Sequence, residues 1–149
     1  MKVRINLDIE YNETEVVINC CRMTKELERV IALLRAVDMK LTGLKDGQIF
    51  LLESEKILYI DIANKRTFIY TDEDVYETSL KLYELEDILS DHGFFRAGKS
   101  SIINFGKIRS LKTDLGGRMI VTMENSEKMI VSRQYTSYIK EKLRRYESW

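Results

Sequence analysis

Lys99 and Ser100 stand at the tip of FFRAGKSSIINFGKIRS, residues 94–110, where a Gly-Lys-Ser-Ser step separates two apolar, strand-like runs. A lysine beside two hydroxyls on a turn offers a cation and hydrogen-bond donors to an anion such as phosphate. Two arginines occupy comparable places: Arg66 follows the turn Ala63-Asn64-Lys65, and Arg133 follows Ser132 at the start of the last helical pattern. An arginine can fork onto the O6 and N7 of guanine, while a neighbouring hydroxyl holds phosphate. Ser100, Ser101 and Ser132 supply such hydroxyls. These residue types, set in turns between strands, point to a polyanion as partner. An ordinary solvated turn is the plain alternative.

The same inventory argues against catalysis. The single histidine, His92, precedes Gly93 in a loop with no motif around it, which suits a solvated turn residue. The chain has no GxSxG, HExxH or phosphate-cradling glycine loop. Its acidic residues sit in solvated turns, and none pairs with another in a way suited to acid–base work. Cys20 and Cys21 are adjacent, a placement poorly suited to a disulfide and too sparse for zinc. The chain is therefore expected to be no enzyme, with no cofactor, no metal and no small-molecule substrate.

Charge sharpens the expectation. The chain is neutral over 149 residues, yet residues 1–91 hold 12 Lys and Arg against 19 Asp and Glu, and residues 92–149 hold 12 against 5. An acidic part followed by a basic one points to nucleic acid or another anionic surface. A hydrophobic fraction of 44% with 32% charged residues fits a packed core under a solvated surface. The opening MKVRINLDIEYNETE carries no apolar leader core, so a cytoplasmic protein is expected.

The elements that must position the cations follow from periodicity. Residues 2–9 alternate apolar and polar, and 15–20 is a β-branched run; both read as strands. A helix is predicted over 23–37, capped by Thr24, with Leu27, Val30, Ile31, Leu34 and Val37 on one face. This β-β-α piece, residues 1–44, is expected to regulate or dimerise, because its acidity suits it poorly for a polyanion. Short strands are predicted at 48–53, 57–61, 66–70, 75–78, 93–97, 101–104 and 108–113. A helix at 82–89 buries Leu82, Leu85, Ile88 and Leu89. A hairpin then turns at Glu124-Asn125-Ser126, and a final helix begins at a Ser132 cap. That helix turns Tyr135, Tyr138, Ile139 and Leu143 inward and Lys140, Lys142, Arg144 and Arg145 outward. Phe94, Phe95, Met119, Val121 and Met123 are expected in the core, and Asn104 is expected to satisfy backbone groups.

The ordered set of these motifs resembles the LytTR family of bacterial DNA-binding domains. The resemblance is carried by Phe94-Phe95-Arg96, Ser100, Ile102-Ile103-Asn104 and Val131-Ser132-Arg133, with LYELEDIL and ILYIDIANKRTFIY upstream, and it spans residues 45 to 147. It implies a mainly β fold of small stacked antiparallel sheets with short helices, whose loops enter successive major grooves at direct-repeat promoter sites. By the same resemblance, DNA contacts fall on Lys65 and Arg66, on Lys99 and Ser100, and on Arg133 and Gln134. Many members carry His-Arg or His-Asn where this chain has Gly98-Lys99. Familiar members also carry a receiver domain of about 120 residues. Here residues 1–44 precede the DNA-binding part, as in small stand-alone regulators paired with a membrane-protein inhibitor. The implied partners are double-stranded DNA, a second copy on that DNA, and such an inhibitor. A non-enzymatic protein-interaction module, in which the acidic and basic parts bind other proteins, is the competing expectation.

Overall fold

The adjacent apolar pairs Phe94-Phe95 and Ile102-Ile103 cannot lie on one face of a strand, because successive side chains point to opposite faces. A strand carrying such pairs is stable only if both faces are covered, and the computed structural model shows both covered. It describes residues 1–38 and 40–147, without the side chains of 32, 33, 35–38 and 145–147.

The first helix, α1 (Lys25–Asp38), is followed by β1 (Lys40–Lys45), β2 (Gln48–Glu53), β3 (Ile57–Ala63), β4 (Arg66–Thr71) and β5 (Val75–Thr78). After α2 (Leu82–Leu89) come β6 (Phe94–Arg96), β7 (Ser101–Asn104), β8 (Ile108–Thr113), β9 (Met119–Met123) and β10 (Lys128–Val131). The last described element is α3 (Thr136–Glu147). Seven strands form one antiparallel sheet in the order β2-β1-β5-β4-β3-β7-β6, and β10-β9-β8 form a second. The mainly β architecture expected from the sequence is the one observed.

The large sheet separates two cores. On one face Leu82, Leu85 and Leu89 of α2 pack with Ile60, Ile69, Phe94 and Ile102. On the other, Leu58, Tyr59, Phe95 and Ile103 meet Met119, Val121, Met123 and Val131 of the small sheet and Ile139 of α3. Phe94 and Ile102 thus serve one core, Phe95 and Ile103 the other. Leu58 and Tyr59 both face the second core because a bulge between Ile57 and Tyr59 breaks the alternation. Each fully buried Leu or Ile stabilises by about 1.5–3 kcal/mol relative to exposure.

Several expectations change. Residues 2–9 and 15–20 form no strand, and nearly all of their apolar side chains lie in solvent. A strand needs a partner for its backbone groups, and a single chain offers these segments none. Thr24 does cap α1, accepting from the Leu27 amide at 3.1 Å. Of the face expected inward, Leu27 is buried and Leu34 exposed, while the side chain of Val37 lies outside the described residues. Ile88 is exposed although its neighbours on α2 are buried. Ser132 does not cap the last helix. A short 3-10 turn, Arg133–Tyr135, intervenes, and the Ser132 hydroxyl turns back to Ala97. Lys142 is half-buried, lying over the Tyr138 ring. The Arg145 side chain lies outside the described residues.

Asn104 holds the turn that links the sheets. Its Nδ2 donates to the Ile57 carbonyl at 2.8 Å, and its Oδ1 accepts from the Gly106 amide at 3.1 Å. Asn104→Ala leaves a buried carbonyl unpaired, so it is expected to lower unfolding free energy by about 1–3 kcal/mol in urea titration. A loss below about 0.5 kcal/mol, the range of ordinary surface substitutions, would contradict that role.

Candidate nucleic-acid interface

The β3–β4 connection is a two-residue turn, Asn64-Lys65, with φ of 53° and 64°. Both residues occupy the left-handed region that such hairpins demand. Lys65 is therefore fixed at the apex, and its side chain is exposed.

Two residues back along β3, the Ile62 amide donates to the Ser100 carbonyl at 2.9 Å. That bond fastens the Lys65 hairpin beside the turn that presents Lys99 and Ser100. The second turn is closed by the Ala97 amide, which donates to Ser101 at 3.0 Å. Arg96 braces it from within. Its Nε donates to the Gly98 carbonyl at 2.7 Å and one Nη to Lys99 at 2.8 Å, while the other reaches Glu86 at 3.3 Å. With its donors spent on the loop, Arg96 positions and Lys99 presents. Lys99 and Ser100 are exposed.

The third turn is tied to the second by one carbonyl. The oxygen of Ala97 accepts from the Ser132 amide at 2.9 Å and from its hydroxyl at 3.3 Å. Arg133 and Gln134 follow immediately, and both are exposed. The Arg133 stem lies over Gly117, where an added Cβ would come within 3.1 Å of the arginine methylenes. Gly117 also has φ of 83°, so a side chain there is both strained and crowded.

All six residues singled out by resemblance thus lie on three turns, of which the second is bonded to each of the other two. Arg66 differs from the others in its pairing. Its Nε and Nη2 fork onto Glu77 at 2.7 and 2.5 Å, and its guanidinium lies 5.6 Å from the centre of the Phe68 ring. The hydrogen bond to Glu77 raises the Arg66 pKa, and the same bond lowers that of Glu77. Arg66 is held along the sheet, whereas Lys65 projects from its end. Sequence reasoning missed Glu77, Gly117 and the Ala97 carbonyl, because each acts across a long stretch of chain.

Beside this edge runs a cleft lined by Tyr59, Asp61, Tyr70, Glu127, Lys128 and Met129. The two tyrosine rings stack at 4.6 Å. Burial pushes the Asp61 carboxyl above its ordinary value, partly offset by the bond it accepts from the Ile62 amide. His92 is half-buried, with its Nδ1 unpartnered among the described residues. Also among the described residues, no three ligand-type side chains gather as for a metal, and no helix is long and apolar enough to cross a membrane.

The sequence profile of the LytTr DNA-binding domain matches residues 47–144. The chain belongs to that family. The solved LytTr DNA-binding domain of a protein described as a methyl-accepting/DNA response regulator, from Bacillus cereus, superposes with a TM-score of 0.65 at 25% identity. The match covers 70% of this chain and 95% of that one. Relatives along nearly the whole chain are uncharacterized HTH-type transcriptional regulators of Staphylococcus aureus. That of strain NCTC 8325 / PS 47 is 29% identical over 145 residues, covering 95% of this chain and 98% of its own. That of strain MRSA252 is 28% identical over the same span. In this LytTr chain strands separate the described helices, and Lys65, Lys99 and Arg133 stand exposed on turns between elements. The family is one of DNA-binding regulator domains.

The cleft yields a prediction with a definite sign. Asp61 is raised in the fold, so it favours folding only while protonated, and that contribution disappears as pH rises through the raised value. Asp61→Asn keeps an acceptor for Ile62 and carries no charge. It is expected to melt above the parent at pH 7 and to lose that advantage below 3.8, the ordinary aspartate value. An advantage equal at both pH values would contradict burial as the cause.

Proposed function

We propose that this LytTr chain regulates transcription by placing its three tethered turns in successive major grooves of promoter DNA carrying a direct repeat, one copy per repeat. The supporting observation is that Lys65, Lys99 and Arg133 are exposed on turns linked by backbone hydrogen bonds through Ile62, Ala97 and Ser132. Three cations on a rigid edge can follow a groove without the ordering cost that mobile side-chain carriers would add. Lys65 and Lys99 act as point charges on phosphate, and Ser100 adds a hydroxyl donor. Arg133 is the reader, since the guanidinium fork matches guanine, and Gln134 beside it can pair with adenine. Arg66 stays on Glu77 and sets the hairpin's pose.

Electrostatic anchoring and base reading separate in one binding panel. On the chain's upstream promoter DNA, affinity is expected to fall by about 0.9 log units per log unit of salt for each phosphate contact. Arg133→Ala should weaken the cognate site by about 1–3 kcal/mol and flatten preference at one base pair. Lys140→Ala, on the exposed side of α3, should weaken all sequences alike or not at all. Equal weakening of every single-base variant by Arg133→Ala would make it an anchor. Salt-independent affinity, or no binding at low salt, would overturn the DNA reading in favour of a protein-interaction module.

A further inference from the structure

The first nine residues carry β-sheet chemistry with no sheet. Val3, Ile5, Leu7 and Ile9 alternate with polar residues, and each is exposed by 76% or more. Val16, Val17 and Ile18, which begin seven residues beyond Ile9, are exposed too. Between the two segments the chain turns, with the Tyr11 amide donating to the Asp8 carbonyl at 3.2 Å. An exposed row of this kind calls for an occupant, and the charges of the arm say which.

We propose that the arm formed by residues 1–9 pairs antiparallel with the same arm of a second copy, making a two-fold β ribbon that dimerises the protein. Centred on Ile5, this register sets Lys2 opposite Asp8 of the partner subunit twice over, by symmetry. Arg4 faces a neutral Asn6 and lies diagonal both to the same aspartate and to Arg4 of the partner subunit, while Val3 lies opposite Leu7. Opposite-charge and β-branched pairs directly across strands are stabilising. No cation lies directly opposite a cation, and the apolar residues of both arms fall on one face of the ribbon. The arm is thus complementary to itself.

A two-stranded ribbon alone is marginal in water. The run 15–18 of each copy, beyond the turn, supplies an outer strand, giving four strands with Val16 and Ile18 on one face. The strand pattern of the sequence is then satisfied between copies, where one chain leaves it bare. Residues 19–24 connect the ribbon to α1, spanning up to about 20 Å each. Two domains so joined can stand on tandem sites about 34 Å apart, one turn of DNA. The inference rests on the proposed DNA reading for its purpose, while the pairing itself does not.

Sedimentation equilibrium of the full chain, with reductant to keep Cys20 and Cys21 from cross-linking, tests the pairing. The parent is expected to be a dimer. Ile5→Glu places two like charges face to face and should weaken dimerisation about tenfold or more. Asp8→Lys should also weaken it, and the exchange Lys2→Asp with Asp8→Lys should recover most of the loss. The parent is expected to bind a random-sequence duplex at low salt. A dimeric parent that does not bind it would count against the DNA reading and leave the ribbon standing. A parent monomeric at about 100 µM would overturn the proposal. So would a dimer that survives Ile5→Glu but is abolished by Leu51→Glu, which would seat the arm on the exposed edge of β2.

Discussion

One carbonyl oxygen, that of Ala97, holds the basic edge together. It accepts twice from Ser132, while the Ala97 amide closes its own turn on Ser101. Ala97 itself is fully buried. A bifurcated acceptor at such a place has no water to fall back on, so losing either donor would be costly. Through it the end of the large sheet is bonded directly to Ser132, the residue before the Arg133 turn, which ties the Lys99 and Arg133 turns together. Ile62 then adds the Lys65 hairpin on the other side.

That tether is possible because the large sheet is buried on both faces. Phe95 and Ile103 draw the small sheet and α3 against one face, and Phe94 and Ile102 draw α2 against the other. The Phe95 and Tyr138 rings stack at 4.9 Å, fixing α3 directly behind the turn that Arg96 braces. Packing therefore sets where the cations project. The ion pairs fine-tune the pose: Arg66 with Glu77 and Arg96 with Glu86 each keep an arginine along the protein surface. Such partly exposed pairs add modest stability, but they decide which cations stand free of a partner carboxylate.

The strands and helices from residue 48 onward were legible because their signals are local. Doubled aromatics and isoleucines mark two-sided burial, β-branched runs mark strands, and Asn64-Lys65 marks a hairpin. β1 was not legible. Its Gly43 reads as a loop residue, yet it is needed because a Cβ there would come within 2.6 Å of Tyr76. The segments 2–9 and 15–20 carry strand signals that one chain does not satisfy. The Ser132 hydroxyl looked like a local cap and instead reaches 35 residues back to Ala97. Gly117 under Arg133 has the same character. Local chemistry is written in neighbouring residues, whereas the site's rigidity is written in pairs far apart in sequence.

The central claim is that three turns act as one rigid contact edge, and amide chemical-shift mapping by NMR during titration with promoter DNA tests it most directly. The largest shifts should fall together on Lys65, Lys99, Ser100, Arg133 and Gln134, spreading inward to Ile62, Ala97 and Ser132 at the same DNA concentration. Shifts concentrated on α2 or β2, with those turns unmoved, would contradict the account.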